Sequence, residues 1–562
     1  MSEEKYTYET KKPDIVFTVS AILVAAFVAW GFIRPSHLEA TATAALNFTI
    51  ETFGWFYMIV AAFFVAFVIF LAVSPFGKLR LGKPEDRPEY KFYTWLGMLF
   101  SAGIGVGFIF WGVAEPVLYY VDTPLGQDVE TEAQAAQLGL RYGVYHWAFH
   151  PWAIFSLVAL ALGYVQFRKD QPALISSAFY PLVGNRAYGA FGKGIDIFAV
   201  LATSTGVATT FGLSAMQISG GLSYLTNIPN NVVTQMIIIG IVAFLFMFSA
   251  ATGVNKGIRY LSVINLTVGA ILLLFMIAVG PTVYIFENIT TTLGGYIANL
   301  VPMSLTLTPF SDSVWLGSFT IFYWAWHIAW APFMGLFIAR ISRGRTIREF
   351  VAGVLIVPSL LAVVWFTAFG GSALYQEIFH DAGIAAIVMD TVELALFATL
   401  AEFPLGGIMS ALAVILIVIF FITSADSASY TLGAMTSQGS LNPTLYVKLA
   451  WGFLIAGTAA VLLLSGGLEG LQTASIVAAL PFSLIMLVMV VSMMKMFIQD
   501  LKKEKNQARE RERRRLKEEI LMELEEEIED FNRDTSSSPA EQKKEPRKKL
   551  INRKNKPEDK EK

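Results

Sequence analysis

The sequence predicts an all-α polytopic membrane protein with 12 transmembrane helices, and three observations predict it. Runs of roughly 18 or more apolar residues recur along the chain, each long enough to cross a bilayer. Hydrophobic residues make up 55% of the 562, with mean hydropathy +0.56, which excludes a soluble globular class. Basic residues crowd every second loop between the runs, the asymmetry that a repeatedly crossing chain shows. The formal charge of −2 says little, because the charge is segregated: nearly half of the 42 Lys and Arg follow residue 500.

The elements follow in order. Residues 1–13 form a charged segment on the cytoplasmic side, without a cleavage site for a signal peptide. Two leading spans, 14–34 and 53–74, occupy 14–92. Five more, 93–121, 142–165, 193–225, 233–253 and 259–286, fill 93–286. A partly apolar stretch, 287–310, reads as a helix lying at the outer interface. Five further spans, 311–340, 349–371, 404–425, 444–465 and 471–498, fill 311–499. Lys78, Arg80, Lys83, Arg87 and Lys91 lie in one loop, and Arg340, Arg343, Arg345 and Arg348 in another. Asp122, Asp128, Glu130 and Glu132, and likewise Glu377, Asp381, Asp390 and Glu393, lie in loops poor in basic residues. Alternation places both termini in the cytoplasm. Two sets of five after two leading spans is the pattern of inverted-repeat transporters, whose sites lie where helices break.

The tail, 500–562, is charged and cytoplasmic. It passes from a basic block at Arg511–Lys517 to an acidic one at Glu523–Asp530, with Leu516, Ile520, Leu521, Leu524 and Ile528 at helical spacing. It reads either as a solvated helix or as an element that senses anionic lipid or salt.

Four stretches could bear chemistry. Gly103, Gly105 and Gly107 crowd one span, at a cost of up to ~1 kcal/mol each in a helix. They serve close packing or an unwound segment whose carbonyls face a cavity. Glu115 follows near the outer end of the same span; an ionisable group at that depth reads either as a functional candidate or as a helix-end group wetted by the outer vestibule. His146-Trp-Ala-Phe-His-Pro-Trp-Ala-Ile-Phe155 gathers Trp147, Trp152 and Phe155 around Pro151, which is expected to kink the helix. His146 and His150 read as hydrogen-bonded histidines rather than metal ligands. Gly317 to Pro332 holds Trp324, Trp326 and Trp330 with Tyr323 and His327, rings that either pack as a core or hold a desolvated cation. Thr423 and Ser424 are hard oxygen donors beside an expected break, and Asp426 follows toward the cytoplasmic end. The cysteine count of zero excludes disulfides and thiolate metal sites. No nucleophile–base pair argues for a membrane enzyme.

Together, Gly103-Ile-Gly-Val-Gly107, Trp111-Gly-Val-Ala-Glu-Pro116, His146 to Trp152, Tyr323-Trp-Ala-Trp326, Ala339 to Phe350 and Thr423-Ser-Ala-Asp-Ser427 resemble the betaine/carnitine/choline transporter (BCCT) family. The resemblance implies a LeuT-like 5+5 inverted repeat preceded by two extra helices, in a multi-pass protein of the cell membrane that assembles as a homotrimer among lipids. It implies a secondary transporter, not an enzyme or a nucleic-acid binder. Such a protein takes up a small quaternary amine or zwitterion of the glycine betaine, choline and carnitine class, with osmoregulation as its setting. The substrate-binding residues implied are Trp147, Trp152, Phe155, Trp324, Trp326, His327, Trp330, Gly103, Gly105 and Gly107. Thr423 and Ser424, with carbonyls near Ser101 and Ile104, match the family's sodium site. No cofactor is implied beyond Na+ as coupling ion. Gly107, where proton-coupled choline carriers look to have Asp, favours sodium symport; a sodium-independent exchanger or a proton-coupled carrier is the alternative. Val207 stands where a Thr of a second sodium site would be, which puts two-sodium coupling in doubt. Phe155 stands for the family's Tyr, Phe319 for a Trp and His327 for a fourth Trp. His327 weakens one ring wall and adds a hydrogen-bonding nitrogen, so it is expected to shift specificity.

Overall fold

The computed structural model describes residues 13–103, 105–252, 255–310 and 314–536. Among those residues it is helical throughout, with a single isolated bridge between Arg80 and Thr346. Two compact units, Met1–Ile498 and Gln499–Lys562, divide it. The all-helical class is as expected, in a multi-pass membrane protein. Ten described helices are long and apolar enough to cross a membrane.

Helix α1 (Ile15–Ile33) starts where the Asp14 carboxylate accepts from the Val16 N–H at 2.9 Å, a side-chain cap on an orphan donor. Pro35 then opens α2 (Pro35–Val73) at a position whose N–H is not needed. The third expected span is two short helices, α3 (Phe92–Gly103) and α4 (Val106–Val121). They flank Gly105, whose backbone is extended at φ −138° and ψ −178°. The glycine cluster thus coincides with an interruption.

The fourth expected span is also divided, but not where Pro151 suggested. α5 (Glu132–Trp147) and α6 (Phe149–Gly163) meet at Ala148, with φ −92° and ψ −121°. Pro151 falls in the first turn of α6, where its missing N–H costs nothing. Beyond a short α7 (Tyr180–Val183) come α8 (Ala190–Leu225), α9 (Val232–Thr252) and α10 (Asn255–Val279). The stretch expected at 287–310 is α11 (Thr282–Leu305), beginning earlier. It buries Ile285, Asn288, Thr292, Tyr296 and Met303, spaced for one helical face. The Tyr145 hydroxyl donates to Met303 O at 2.9 Å, and Phe149 N–H to the Tyr296 hydroxyl at 3.1 Å, pinning that face to α5 and α6.

A turn of π geometry, Gly317–Ile321, leads into α12 (Phe322–Ile341). Then come α13 (Ile347–His380), α14 (Ile384–Asp390) and α15 (Ala395–Ala401). A capping box between Thr346 and Glu349 starts α13. Helix α16 (Gly406–Met435) is continuous through Thr423 and Ser424, so the break expected there is absent. The last helical run, α17 (Leu445–Ser536), is interrupted at Gly466 and Gly467; Gly467 has φ +56° and ψ −130°, which only glycine adopts without strain.

Two loops are joined. Leu81 N–H donates to Arg345 O at 2.8 Å, Gly344 N–H to Leu81 O at 2.7 Å and Ile347 N–H to Leu79 O at 2.8 Å. The Arg345 guanidinium lies 4.1 Å from the Trp95 ring centroid, and Trp95 Nε1 donates to Ser342 Oγ at 2.9 Å. This gives one arginine of the stretch after Ala339, Arg345, a place in the join. In the second unit, the described residues 499–536 are helical, and Leu516, Ile520, Leu521, Leu524 and Ile528 are all exposed.

Candidate functional site

Residues two apart on a helix point to nearly opposite sides, and those three or four apart share one. So on α12 Trp326 and Trp330 share a side with His327 at its edge, and Trp324 points nearly opposite to Trp326. On the first face the rings form a continuous series of contacts. Trp147 meets Trp326 edge to face at 5.7 Å between centroids and His327 at 5.3 Å. His327 meets Phe155 at 5.7 Å; Phe155 meets Trp152 at 5.6 Å and Trp330 at 6.1 Å. Six of the predicted residues are therefore brought together from α5, α6 and α12. All but Trp330 are buried. The rings lie against each other in this conformation rather than around a void.

Trp324 is not part of the series. It is completely buried and stacks on His150 at 4.5 Å and 20°, with Tyr145 at 5.1 Å. His150 Nε2 lies 3.0 Å from Ser304 Oγ on α11. His146 in the same motif also meets Trp324, edge to face at 5.8 Å, but its ring nitrogens lie against Glu115 and Thr320, and among the described residues the pair is part of no metal-ligand cluster.

Backbone contacts locate the rings. A Cβ added at Gly107 would lie 2.1 Å from the Trp147 ring, so only glycine lets that ring rest on α4. Trp326 Nε1 donates to Gly206 O of α8 at 3.1 Å. Trp147 Nε1 donates to Glu115 Oε1 at 2.6 Å, and Glu115 Oε2 lies 3.0 Å from His146 Nδ1. Glu115, the candidate ionisable group of α4, is completely buried.

A cavity of 1130 Å3 reaches this region, with Gly105, Trp330, Thr423, Ser424, Asp426 and Asn265 among its lining residues. It extends to Asp86, Arg87, Arg340 and Arg343 in the basic loops. The Thr423 hydroxyl donates to Ile419 O at 2.9 Å within its own helix, which turns its lone pairs toward Asn265 and the cavity. Asn265 Nδ2 reaches Thr423 Oγ1 at 3.5 Å, while Asn265 Oδ1 is buried with no hydrogen-bond partner among the described residues. Thr423, Ser424 and Asn265 make an oxygen-rich wall that suits a small hard cation. Of the other expected ligands, Ile104 lies outside the described residues, and Ser101 and Gly103 are described in backbone only. Thr209, near the expected second sodium site, is engaged elsewhere: its hydroxyl lies 3.0 Å from Leu471 O and 2.8 Å from Ser475 Oγ.

Sequence reasoning missed Asn265, Phe108 and Phe366. Asn265 stands out in the sequence only as part of a sequon-like Asn-Leu-Thr, with nothing to link it to Thr423 far along the chain. Phe108 and Phe366 meet at 5.9 Å, and Phe108 reaches Trp147 at 5.3 Å. Phe108 follows the glycine cluster directly, a signal that was available.

A broken-helix membrane body, an aromatic series on facing helices and a water-accessible cavity ending at oxygen donors define a transporter rather than an enzyme. The chain belongs to the BCCT, betaine/carnitine/choline family transporter group, which it matches over residues 15–502. It is 48% identical over 502 residues to the glycine betaine transporter OpuD of Bacillus subtilis (strain 168), covering 89% of this chain and 96% of that protein. It is 45% identical over 488 residues to the ectoine/hydroxyectoine transporter of Virgibacillus pantothenticus, covering 87% and 97%. A probable glycine betaine transporter of Desulfitobacterium hafniense (strain Y51) is 39% identical over 488 residues, covering 86% and 97%.

Proposed function

We propose that the protein is a secondary active transporter that takes up a small quaternary-ammonium solute or related zwitterion by sodium symport. The observation that carries this is the ring series of Trp147, Trp326, His327, Phe155 and Trp330 beside a cavity with free oxygen donors. Ring faces attract a desolvated ammonium at ~0.5–2 kcal/mol each. The first turn of α4 offers N–H groups without helical partners to the carboxylate of a zwitterion. Thr423, Ser424 and Asn265 hold the sodium ion, and its arrival orders the glycine-rich interruption so that the site is completed. Likeness to transporters named for glycine betaine and for ectoine supports the solute class.

The cavity opens among Arg87, Arg340 and Arg343, residues of loops assigned to the cytoplasm, so this conformation is inward-open. The rings must part to admit an ammonium, and closure around the solute drives the rocking of one helix set against the other. Twelve spans go with this proposal: α3 and α4 make one, and α17 supplies two across Gly466. A LeuT-like repeat, a cell-membrane location with cytoplasmic termini and a homotrimer complete it. His327 tunes the choice among solutes, through a Nδ1 that is buried without a hydrogen-bond partner among the described residues.

Uptake of labelled glycine betaine by cells lacking their own uptake systems tests the proposal. Accumulation above the external concentration, lost when potassium replaces sodium at fixed pH, is the expected result. Accumulation without sodium turns the reading to exchange or proton coupling. No accumulation of glycine betaine, ectoine, choline or carnitine overturns it.

A further inference from the structure

In the proposed function Trp147 presents a ring face to the ammonium, and its indole N–H is held by a carboxylate on another helix. Glu115 sits on α4 and is completely buried, as is His146. Both of its oxygens are committed. Oε1 accepts the Trp147 indole N–H at 2.6 Å, and Oε2 lies 3.0 Å from His146 Nδ1. The far nitrogen of His146 lies 2.9 Å from Thr320 Oγ1, in the turn Gly317–Ile321 that leads into α12. The Tyr119 hydroxyl, one turn beyond Glu115, lies 3.3 Å from His146 Nδ1. Thus α4, the end of α5 and the entry to α12 are tied through one carboxyl group and one imidazole.

Neighbouring residues on a helix point about 100° apart, so two of them seldom reach one carboxylate. Here they do, one on each oxygen of Glu115. On its other side the Trp147 ring rests on Gly107, too close for a methyl group. An indole held by its N–H at one edge and by backbone beneath has little freedom about its side-chain torsions. Donation of the N–H to a carboxylate also enriches the ring in electrons, which strengthens its pull on a cation.

We propose that Glu115 is a positioning residue for transport: through Trp147 Nε1 it aims the indole at the solute's ammonium, and through His146 and Thr320 it links that aim to α12. This rests on the assignment of Trp147 to the ammonium site. It differs from a proton-carrying role, because what counts is the acceptor at Oε1 and not a charge.

A double-mutant cycle tests it, read as KM and maximal rate for labelled glycine betaine with transporter abundance in the membrane measured in parallel. Glu115→Leu is expected to raise KM about tenfold, with the maximal rate per transporter within about threefold. Trp147→Phe, which keeps a ring but removes the N–H, is expected to raise KM similarly. Glu115→Leu added to Trp147→Phe then costs less than about threefold more, since the N–H it would have held is gone. Glu115→Gln is expected to stay within about threefold of the parent, because its amide oxygen still accepts from Trp147 and its nitrogen donates to His146 Nδ1 once the imidazole proton sits on Nε2, facing the Thr320 hydroxyl. If Glu115→Leu is missing from the membrane, Glu115→Asp, which withdraws the acceptor by one methylene, replaces it under the same criteria. An unchanged KM on losing the acceptor, effects that multiply in the double variant, or a Gln variant as poor as Leu each overturn the proposal. If Trp147→Phe alone leaves KM unchanged, the ammonium-site assignment fails and this proposal fails with it. If Trp147→Phe raises KM and Glu115→Leu does not, only this proposal fails.

Discussion

One side of α12 sends Trp324 into a buried stack with His150 and Tyr145; the other sends Trp326, His327 and Trp330 toward Trp147 and Phe155. Both faces are aromatic, and both pack against α5 and α6. They differ in what lies at the end of each series. The Trp324 stack reaches Ser304 on α11 through His150, and neither Trp324, His150 nor Tyr145 is among the cavity's lining residues, while the other series reaches Trp330, which lines the cavity. An aromatic residue in this helix is therefore assigned by its neighbours and by its access to the cavity, not by its type. Trp324, implied as a substrate residue by family likeness, belongs by geometry to the scaffold.

The largest effect is expected where the scaffold is cut. Trp324→Ala should lower stability by ~3–5 kcal/mol, as loss of a buried ring does, seen in thermal unfolding of detergent-purified protein. The protein that remains folded should bind glycine betaine unchanged. A stable variant with weakened binding would erase the distinction between the faces. Next, Gly107→Ala puts a methyl group inside the Trp147 ring and should raise KM by roughly tenfold to thirtyfold, a loss of ~1.4–2 kcal/mol. Unchanged KM would mean that the ring does not rest on α4 while solute is bound. A smaller change is expected from His327→Trp, which should favour trimethylated over less methylated amines by ~1–2 kcal/mol. Competition uptake across such a panel measures this, and an unaltered ranking removes His327 from selectivity. Smallest is deletion of 505–562, remote from both faces in sequence. It should leave KM as it is and flatten the dependence of uptake on external osmolality; an unaltered dependence discards the sensing role.

Much of this was legible because hydropathy and motif order are one-dimensional. The helical class follows from residues close in sequence, and the grouping of Trp147, Phe155, Trp326 and His327 from the motifs shared with the family; the glycine cluster by itself argues more for close packing than for the interruption seen at Gly105. Other features depend on contacts that no local pattern encodes. Trp324 and Trp326 looked equivalent because a helix buried on all sides has no polar face to orient it. Pro151 looked like the breaker, yet the chain turns three residues earlier and the proline only opens the next helix. Thr423 suggested a break in α16, while its hydroxyl is held by the helix it sits in. The indole–carboxylate bond joins residues 32 apart, Trp147 and Glu115, and Asn265 meets Thr423 across 158.

The join between the stretches at 79–81 and 344–347 has a mechanical consequence. With three main-chain bonds and a guanidinium seated on Trp95, the end of α2 and the start of α13 form a single rigid limb. Probes on either side of that seam should keep a constant separation while solute crosses the membrane. They supply an internal ruler against which any gate in this cysteine-free chain can be calibrated.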